Sequence, residues 1–289
     1  MPTFATMSDE SCEKGLKSMR RKTKSHALTP YPRALVLSPC LSLPVLHRHA
    51  VFASVHVRAR EFLSTIRRLA WQALPACVLV ALMGVVASPC AWDAERMIET
   101  AQKLGPRAVS GVRALHLVLN AVQSMDERDQ LNEINEFFNR RIEFRDDNDV
   151  WGQPDYWASP LESLARGQGD CEDFAIAKYF SLLALGMPSA KLRIVYVRAQ
   201  LGGPGGPTRA HMVLAYYESP AAEPLILDNL ISDVRPGSRR PDLQPVFSFN
   251  SDGLWQGVGA QSAGDPVARL SRWRGVLAKA RAEGFQPGQ

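Results

Sequence analysis

The stretch Gly169-Asp170-Cys171-Glu172-Asp173-Phe174 decides how this chain is interpreted, because it places a cysteine where a turn enters a helix. A helical pattern runs from Cys171 to Leu185 and is ended by glycine and proline. The unpaired backbone amides of a helix N-terminus favour the thiolate, which is the nucleophilic form of cysteine. The alternative is a buried structural cysteine. The flanking carboxylates oppose the thiolate unless a cation balances them or they point away.

The base that such a thiol needs is one of two histidines after residue 91, His116 and His211. His116 lies in an apolar helical stretch, and we expect it to be a packed structural residue. His211 opens a predicted strand directly after a Gly/Pro-rich loop, which is a usual place for a catalytic residue. An exposed loop histidine is the alternative.

The third candidate is Asp228, which ends the next predicted strand. Two adjacent antiparallel strands can bring His211 and Asp228 to one edge, where a carboxylate fixes the imidazole tautomer. An ordinary turn residue at the end of a strand is the alternative for Asp228.

The order of the predicted elements indicates an α+β fold, with helices first and an antiparallel sheet second. Ser159 and Glu162 have the spacing of a capping box at the start of a short helix. The other predicted helices cover 93–104, 108–140 and the basic segment 265–282. The predicted strands cover 191–199, 211–217, 225–230 and 247–249.

The net charge of +5 is unevenly distributed along the chain. Residues 1–91 hold 12 Lys/Arg and 4 Asp/Glu, a surplus of 8, whereas residues 92–289 hold 22 and 25, a deficit of 3. The body of the chain is therefore mildly acidic, which argues against nucleic-acid binding.

The first 91 residues divide into two parts. Residues 57–91 combine arginines, an apolar run and small residues at the exit, the pattern of a secretory signal peptide. A retained membrane anchor is the alternative, since the run is close to the length that spans a bilayer. Residues 1–56 precede this signal and are either a disordered tail or a misassigned start, with translation beginning near Val55 or Val57. Cleavage after Ala91 leaves 92–289 as one domain with Cys171 as its single cysteine.

These residues together resemble a known family. Trp151 to Trp157 (WGQPDYW), Gly169 to Phe174, the His211-Met212-Val213 strand and Leu227-Asp228-Asn229 are similar to the bacterial transglutaminase-like cysteine proteases of the LapG type. The resemblance covers about residues 92–258 and implies a papain/transglutaminase-like fold, with a helical N-terminal lobe on an antiparallel sheet. It also implies a catalytic triad of Cys171, His211 and Asp228.

The resemblance further implies a calcium-dependent periplasmic endoprotease, with Asp170 and Glu172 as calcium ligands and Asp173 as a weaker candidate. The expected substrate is a large repeat adhesin, cut near its N-terminus at a paired-alanine site, which releases it and disperses biofilm. The expected inhibitor is an inner-membrane receptor that senses cyclic di-GMP. No direct membrane binding is expected after signal cleavage.

The residues leave some alternatives open. A transglutaminase or amidase uses the same triad with a different acceptor, and an inactive binding module can share the fold. The backbone amide of Cys171 is the expected oxyanion donor, and the second donor is left open, with Trp157 and Gln168 as candidates. The aromatic rings of 151–157 line a substrate groove or belong to the core. Zinc spacing and a Gly-x-Ser-x-Gly string are both missing from 92–289.

Overall fold

The computed structural model describes residues 92–286. The predicted extension 1–56 and signal peptide 57–91 lie outside the described residues, so both stay predictions. The α-helices in 92–286 are α1 Ala94–Leu104, α2 Pro106–Val122, α3 Glu127–Arg141, α4 Asp147–Trp151, α5 Pro160–Arg166, α6 Cys171–Ala184, α7 Pro266–Arg269 and α8 Ser271–Glu283. The strands are β1 Glu143–Phe144, β2 Gln168–Gly169, β3 Leu192–Gln200, β4 Thr208–Tyr216, β5 Leu225–Leu227, β6 Arg235–Pro236, β7 Leu243–Phe249, β8 Leu254–Gln256 and β9 Ser262–Gly264.

The N-terminal helices differ from the prediction at one point. The single helix predicted over 108–140 is wrong, because α2 ends at Val122 and α3 begins after Asp126. The Asp126 side chain accepts a hydrogen bond from the backbone N–H of Asp129 at 2.9 Å, which is N-cap geometry. A capping residue between two apolar patterns therefore starts a new helix.

The sheet has seven strands in the order β6-β5-β4-β3-β7-β8-β9, and each neighbouring pair is antiparallel. The long strands β3 and β4 pair along their whole length, with Leu192 opposite Tyr216 and Gln200 opposite Thr208. This arrangement confirms the predicted α+β class. The strand that carries His211 begins at Thr208, three residues earlier than predicted.

Helix α6 joins the helical region to the sheet. Every residue from Cys171 to Ala184 is buried, as expected for a helix that is surrounded by other elements. It contacts α3 on one side and strands β4 and β3 on another. The helix that begins with the candidate nucleophile is thus the central element of the core.

Across the part of the chain that the structure describes, none of the helices combines the length and apolar character needed to cross a bilayer.

Candidate active site

Cys171 is the first residue of α6 and is 8% exposed. The short parallel pair of β1 and β2 holds the turn before it, and the Arg145 N–H donates to the Gly169 carbonyl at 2.9 Å. A Cβ on Gly169 would lie 2.5 Å from an Asp173 carboxylate oxygen, so only glycine fits this turn. The Cys171 thiol donates a hydrogen bond to Glu172 Oε2 at 3.2 Å.

His211 and Asp228 lie side by side at the edge where β5 ends. Strands β4 and β5 pair with Leu214 opposite Leu227, which places Asp228, the residue directly after β5, beside the strand that carries His211. The His211 Nε2 to Asp228 Oδ1 distance is 2.8 Å, and the residues are 2% and 1% exposed. The structure therefore brings these two sequence-predicted residues into a buried imidazole–carboxylate pair.

The Asp228 carboxylate stays ionised in this site. Burial alone raises its pKa, but His211, Arg240 and the Leu230 N–H outweigh burial and hold the pKa below its usual range. A charged carboxylate beside an imidazole orients the ring and stabilises its protonated form.

Three residues outside the sequence prediction support Asp228. Arg240 Nη2 donates to Asp228 Oδ2 at 2.7 Å, and Asn139 Nδ2 donates to the Asp228 backbone carbonyl at 2.8 Å. Lys178 Nζ donates to Asn139 Oδ1 at 2.7 Å. Lys178 is fully buried, and burial lowers its pKa to about 7, against the opposing charge of Asp228. These contacts are tertiary, so no local signal in the sequence identifies them.

Four buried carboxylates and the half-buried carboxylate of Asp155 surround the turn at Cys171. Asp147, Asp155 and Glu172 form one group whose oxygens lie within 4.8 Å of one another, and Asp147, Asp170 and Asp173 form a second. Neither Asp147 nor Asp155 was named as a candidate ligand from the sequence, and 151–157 was considered only for its aromatic rings.

The electrostatics of this acidic cluster favour a cation. Burial, followed by the charge of neighbouring carboxylates, raises the pKa of Asp170 and Asp173, and burial raises the pKa of Glu172. Asp170 Oδ1 and Asp173 Oδ2 are buried and have no hydrogen-bond partner within residues 92–286. Several buried oxygens of this kind match the preference of calcium for carboxylate ligands in flexible geometry. The residues present therefore fit a calcium ion.

The loop that contains Asp155 is tied to this cluster. The Tyr156 N–H donates to Asp147, and the Ala158 N–H donates to Asp173 Oδ1 at 2.8 Å. Arg272 Nη2 in α8 pairs with Asp155 Oδ2 at 2.9 Å. The loop and the C-terminal helix thus fix one side of the cluster.

The other candidates have partners in the protein. Trp157 stacks on the core residue Phe249 with ring centroids 5.6 Å apart, and its Nε1 donates to Asp155 Oδ1 at 3.1 Å. Gln168 Nε2 donates to Glu143 Oε2 at 3.5 Å. His116 is half-buried against Trp92, and burial lowers its pKa. Trp157 therefore packs against the core.

Comparison with known proteins identifies the family. A family model described as the bacterial transglutaminase-like cysteine proteinases matches residues 114–241. Legionella pneumophila LapG is 37% identical, with a TM-score of 0.56, and the match covers 65% of this chain and 97% of that one. The chain belongs to the bacterial transglutaminase-like cysteine proteinases.

Two further structures extend this match within the transglutaminase-like proteinases. EGTA-treated Legionella pneumophila LapG is 37% identical, with a TM-score of 0.57 over 65% of this chain and 97% of that one. The calcium-bound form of that protein is 36% identical, with a TM-score of 0.55 over 65% of this chain and 98% of that one. The search of curated proteins gave no match. The predicted transglutaminase-like α+β fold is confirmed.

Proposed function

We propose that this transglutaminase-like proteinase is a calcium-dependent periplasmic endoprotease that cleaves the N-terminal region of a large repeat adhesin. The observation that carries the proposal is the buried His211–Asp228 pair, in a proteinase whose helix α6 begins with a cysteine. Family membership supplies the reaction class, and the resemblance to LapG-type proteases supplies the substrate class and the compartment.

The proposed reaction uses three side chains in fixed roles. The Cys171 thiolate attacks the scissile carbonyl carbon, and the protonated His211 gives its proton to the leaving amine as the C–N bond breaks. This leaves a thioester on Cys171. His211 then takes a proton from water, whose oxygen attacks the thioester and releases the acid product. Asp228 orients the imidazole throughout and stabilises it whenever it is protonated.

The environment of Cys171 supports this assignment. Cys171 is the first residue of α6, where the positive end of the helix dipole favours the thiolate, and its own N–H is the proposed oxyanion donor. The nearby carboxylates oppose a second negative charge. A bound calcium ion would supply the positive charge that offsets them and would fix the turn.

The proposed calcium ligands are Asp170, Glu172 and Asp173, together with Asp147 and Asp155. Support comes from the raised pKa values of the first three residues and from the unpartnered oxygens of Asp170 and Asp173. Replacing Asp170 and Glu172 together by Ala should abolish the rise in melting temperature that calcium causes in the wild type. A wild-type melting temperature that does not respond to calcium would count against the ion site.

One further partner follows from the family resemblance alone: an inner-membrane receptor for cyclic di-GMP is the proposed inhibitor. The proposed export signal, residues 57–91, rests on its sequence pattern. Peptides from residues 1–50 in cells would contradict a start near Val55 or Val57.

The decisive experiment mixes the full chain with N-terminal adhesin fragments that contain a paired-alanine site, with calcium or EGTA. Cleavage should require calcium, should be lost in Cys171→Ala, and should be lost when the paired alanines of the fragment are replaced by arginine. Cleavage by Cys171→Ala would refute the assignment. Adding a primary amine tests the acyltransferase alternative, because a transferase would convert the product acid into an amide. A folded wild type that binds fragments without cleaving them would indicate a binding module.

A further inference from the structure

The buried contacts of the Asp228 carboxylate are divided between its two oxygens. Oδ1 lies 2.8 Å from His211 Nε2 and accepts from the Leu230 N–H at 3.1 Å. Oδ2 accepts from Arg240 Nη2 at 2.7 Å. The Asp228 side chain is 0% exposed and that of Arg240 is 2% exposed, so water does not compete for this contact.

Arg240 is itself held in place by a second carboxylate. Its Nε donates to Asp242 Oδ1 at 3.0 Å, and its Nη2 also donates to Asp242 Oδ2 at 2.8 Å. Asp242 is anchored through its backbone carbonyl, which accepts from the Gln200 N–H at 2.8 Å. The guanidinium therefore bridges Asp242, beside the end of β3, and Asp228, beside the end of β5.

Stability alone is a weak explanation for this arrangement. A buried ion pair often contributes less than well-packed apolar residues of the same volume. Arg240 Nη1 is buried and makes no hydrogen bond within residues 92–286, which adds to the cost of burying the guanidinium. A role in the chemistry of the neighbouring His211–Asp228 pair accounts for both observations.

We propose that Arg240 is a positioning residue for the candidate catalytic pair, holding the Asp228 carboxylate ionised and presenting Oδ1 to His211. This inference rests on the proposed function. Without the guanidinium, Oδ2 would be a buried anionic oxygen with its counter-charge removed. The carboxylate would then rotate or take up a proton, and either change weakens its bond to His211. The pKa of Asp228 is consistent with this role, since Arg240 is among the groups that lower it against burial.

The alkylation rate of Cys171 by iodoacetamide tests the proposal without a protein substrate. Trypsin releases Cys171 in the peptide 167–178, so mass spectrometry follows this thiol separately from the other cysteines of the full chain. Arg240→Met should slow alkylation about tenfold, the factor expected for one lost charge-assisted hydrogen bond. Arg240→Lys keeps the positive charge but loses the planar guanidinium with its paired N–H donors, so it should give an intermediate alkylation rate.

The matched control is Arg193→Met. Arg193 stacks on Trp255 at 4.0 Å and donates to the Gly259 carbonyl at 2.8 Å. It makes neither of the carboxylate contacts of Arg240, so its replacement should lower the melting temperature and leave alkylation unchanged. If the alkylation rates of these three variants simply fall in step with their melting temperatures, the proposal is overturned. If Arg240→Met does not fold, the alkylation rate of Arg240→Lys decides between the two explanations. A wild-type alkylation rate in Arg240→Lys, together with a lowered melting temperature, contradicts the inference.

A double-mutant cycle separates this inference from the proposed function. If Arg240 acts through Asp228, Arg240→Met should have less than about a twofold effect in an Asp228→Asn background. A full additional loss in that background would show an independent role and overturn the proposal. If Cys171 is alkylated slowly in Asp228→Asn but at the wild-type rate in Arg240→Met, the Arg240 inference alone is refuted. A wild-type alkylation rate in Asp228→Asn would refute both the proposed triad and the Arg240 inference.

Discussion

Replacing Glu283 by Gln should stabilise the protein at high pH and have little effect at low pH. Glu283 lies in the last turn of α8 and is 5% exposed. Its carboxylate accepts hydrogen bonds from the Ser159 hydroxyl and, at 3.2 Å, from the Leu161 N–H. Burial raises the pKa of Glu283 to about 8, although both of these donors oppose the change. The site therefore favours the neutral acid, which glutamine imitates in shape.

The sign and size follow from the difference in proton binding between the folded and unfolded chains. The pKa of this acid is 4.5 when unperturbed and about 8 when folded, so the folded protein binds the extra proton between these values. Wild-type stability linked to Glu283 is full below pH 4.5 and is lost as the pH rises through 8. At about 1.4 kcal/mol per pKa unit, the loss is roughly 5 kcal/mol above pH 8. The glutamine side chain of the variant has no proton to lose and avoids this loss.

Urea unfolding of the two full-length chains at pH 4.5, 6.5 and 9, in EGTA, measures the effect. The difference in unfolding free energy between variant and wild type should grow steadily with pH. Using the difference between chains cancels the titration of the acidic cluster. Glu99→Gln, on the exposed face of α1, is the control and should show no such trend. A Glu283→Gln effect that is constant or that shrinks with rising pH would refute the reasoning.

Three other changes test different parts of the site. Asp147→Asn should reduce the calcium-induced rise in melting temperature, because Asp147 belongs to both acidic groups; an unchanged rise would remove it from the ion site. Asp228→Asn should lower kcat for adhesin cleavage roughly a thousandfold with little change in KM. A comparably large rise in KM would argue against a purely catalytic role. Lys178→Met should be most stabilising below pH 7, and its advantage over wild type in thermal melts should fall as the pH rises to 10. The reason is that wild-type Lys178, with its pKa lowered to about 7, must be buried in charged form only at low pH. A Lys178→Met change in melting temperature that does not depend on pH would contradict the lowered pKa of buried Lys178.

Local signals in the sequence were sufficient for several elements. The capping box of Ser159 and Glu162 forms as predicted at the start of α5, because both halves of the motif lie within four residues. The helix that begins at Cys171 was also found, since its ends are marked by a turn and by Gly186. The apolar patterns of α2 and α3 were joined in error, because the cap at Asp126 is a weaker signal than the periodicity on either side.

The site was only partly predictable, because some of its residues are defined by contacts between distant segments and not by local signals. The residues Cys171, His211 and Asp228 stand out by type and by position at the ends of elements. Asp147 and Arg240 do not, because their contacts depend on how distant segments pack. An aspartate among other charged residues and an arginine in a loop carry no local sign of the buried carboxylate each one meets.

The most direct test of the proposed chemistry is to trap the acyl-enzyme. The full chain is mixed with an adhesin fragment and calcium, quenched in acid within seconds, and digested, and the 167–178 peptide is weighed by mass spectrometry. The account predicts a thioester on Cys171 that adds to this peptide the mass of the C-terminal tryptic segment of the N-terminal product less one water, and no such adduct in His211→Ala. Cleaved fragment with an unmodified Cys171 at every quench time, together with undiminished cleavage by Cys171→Ala, would contradict it.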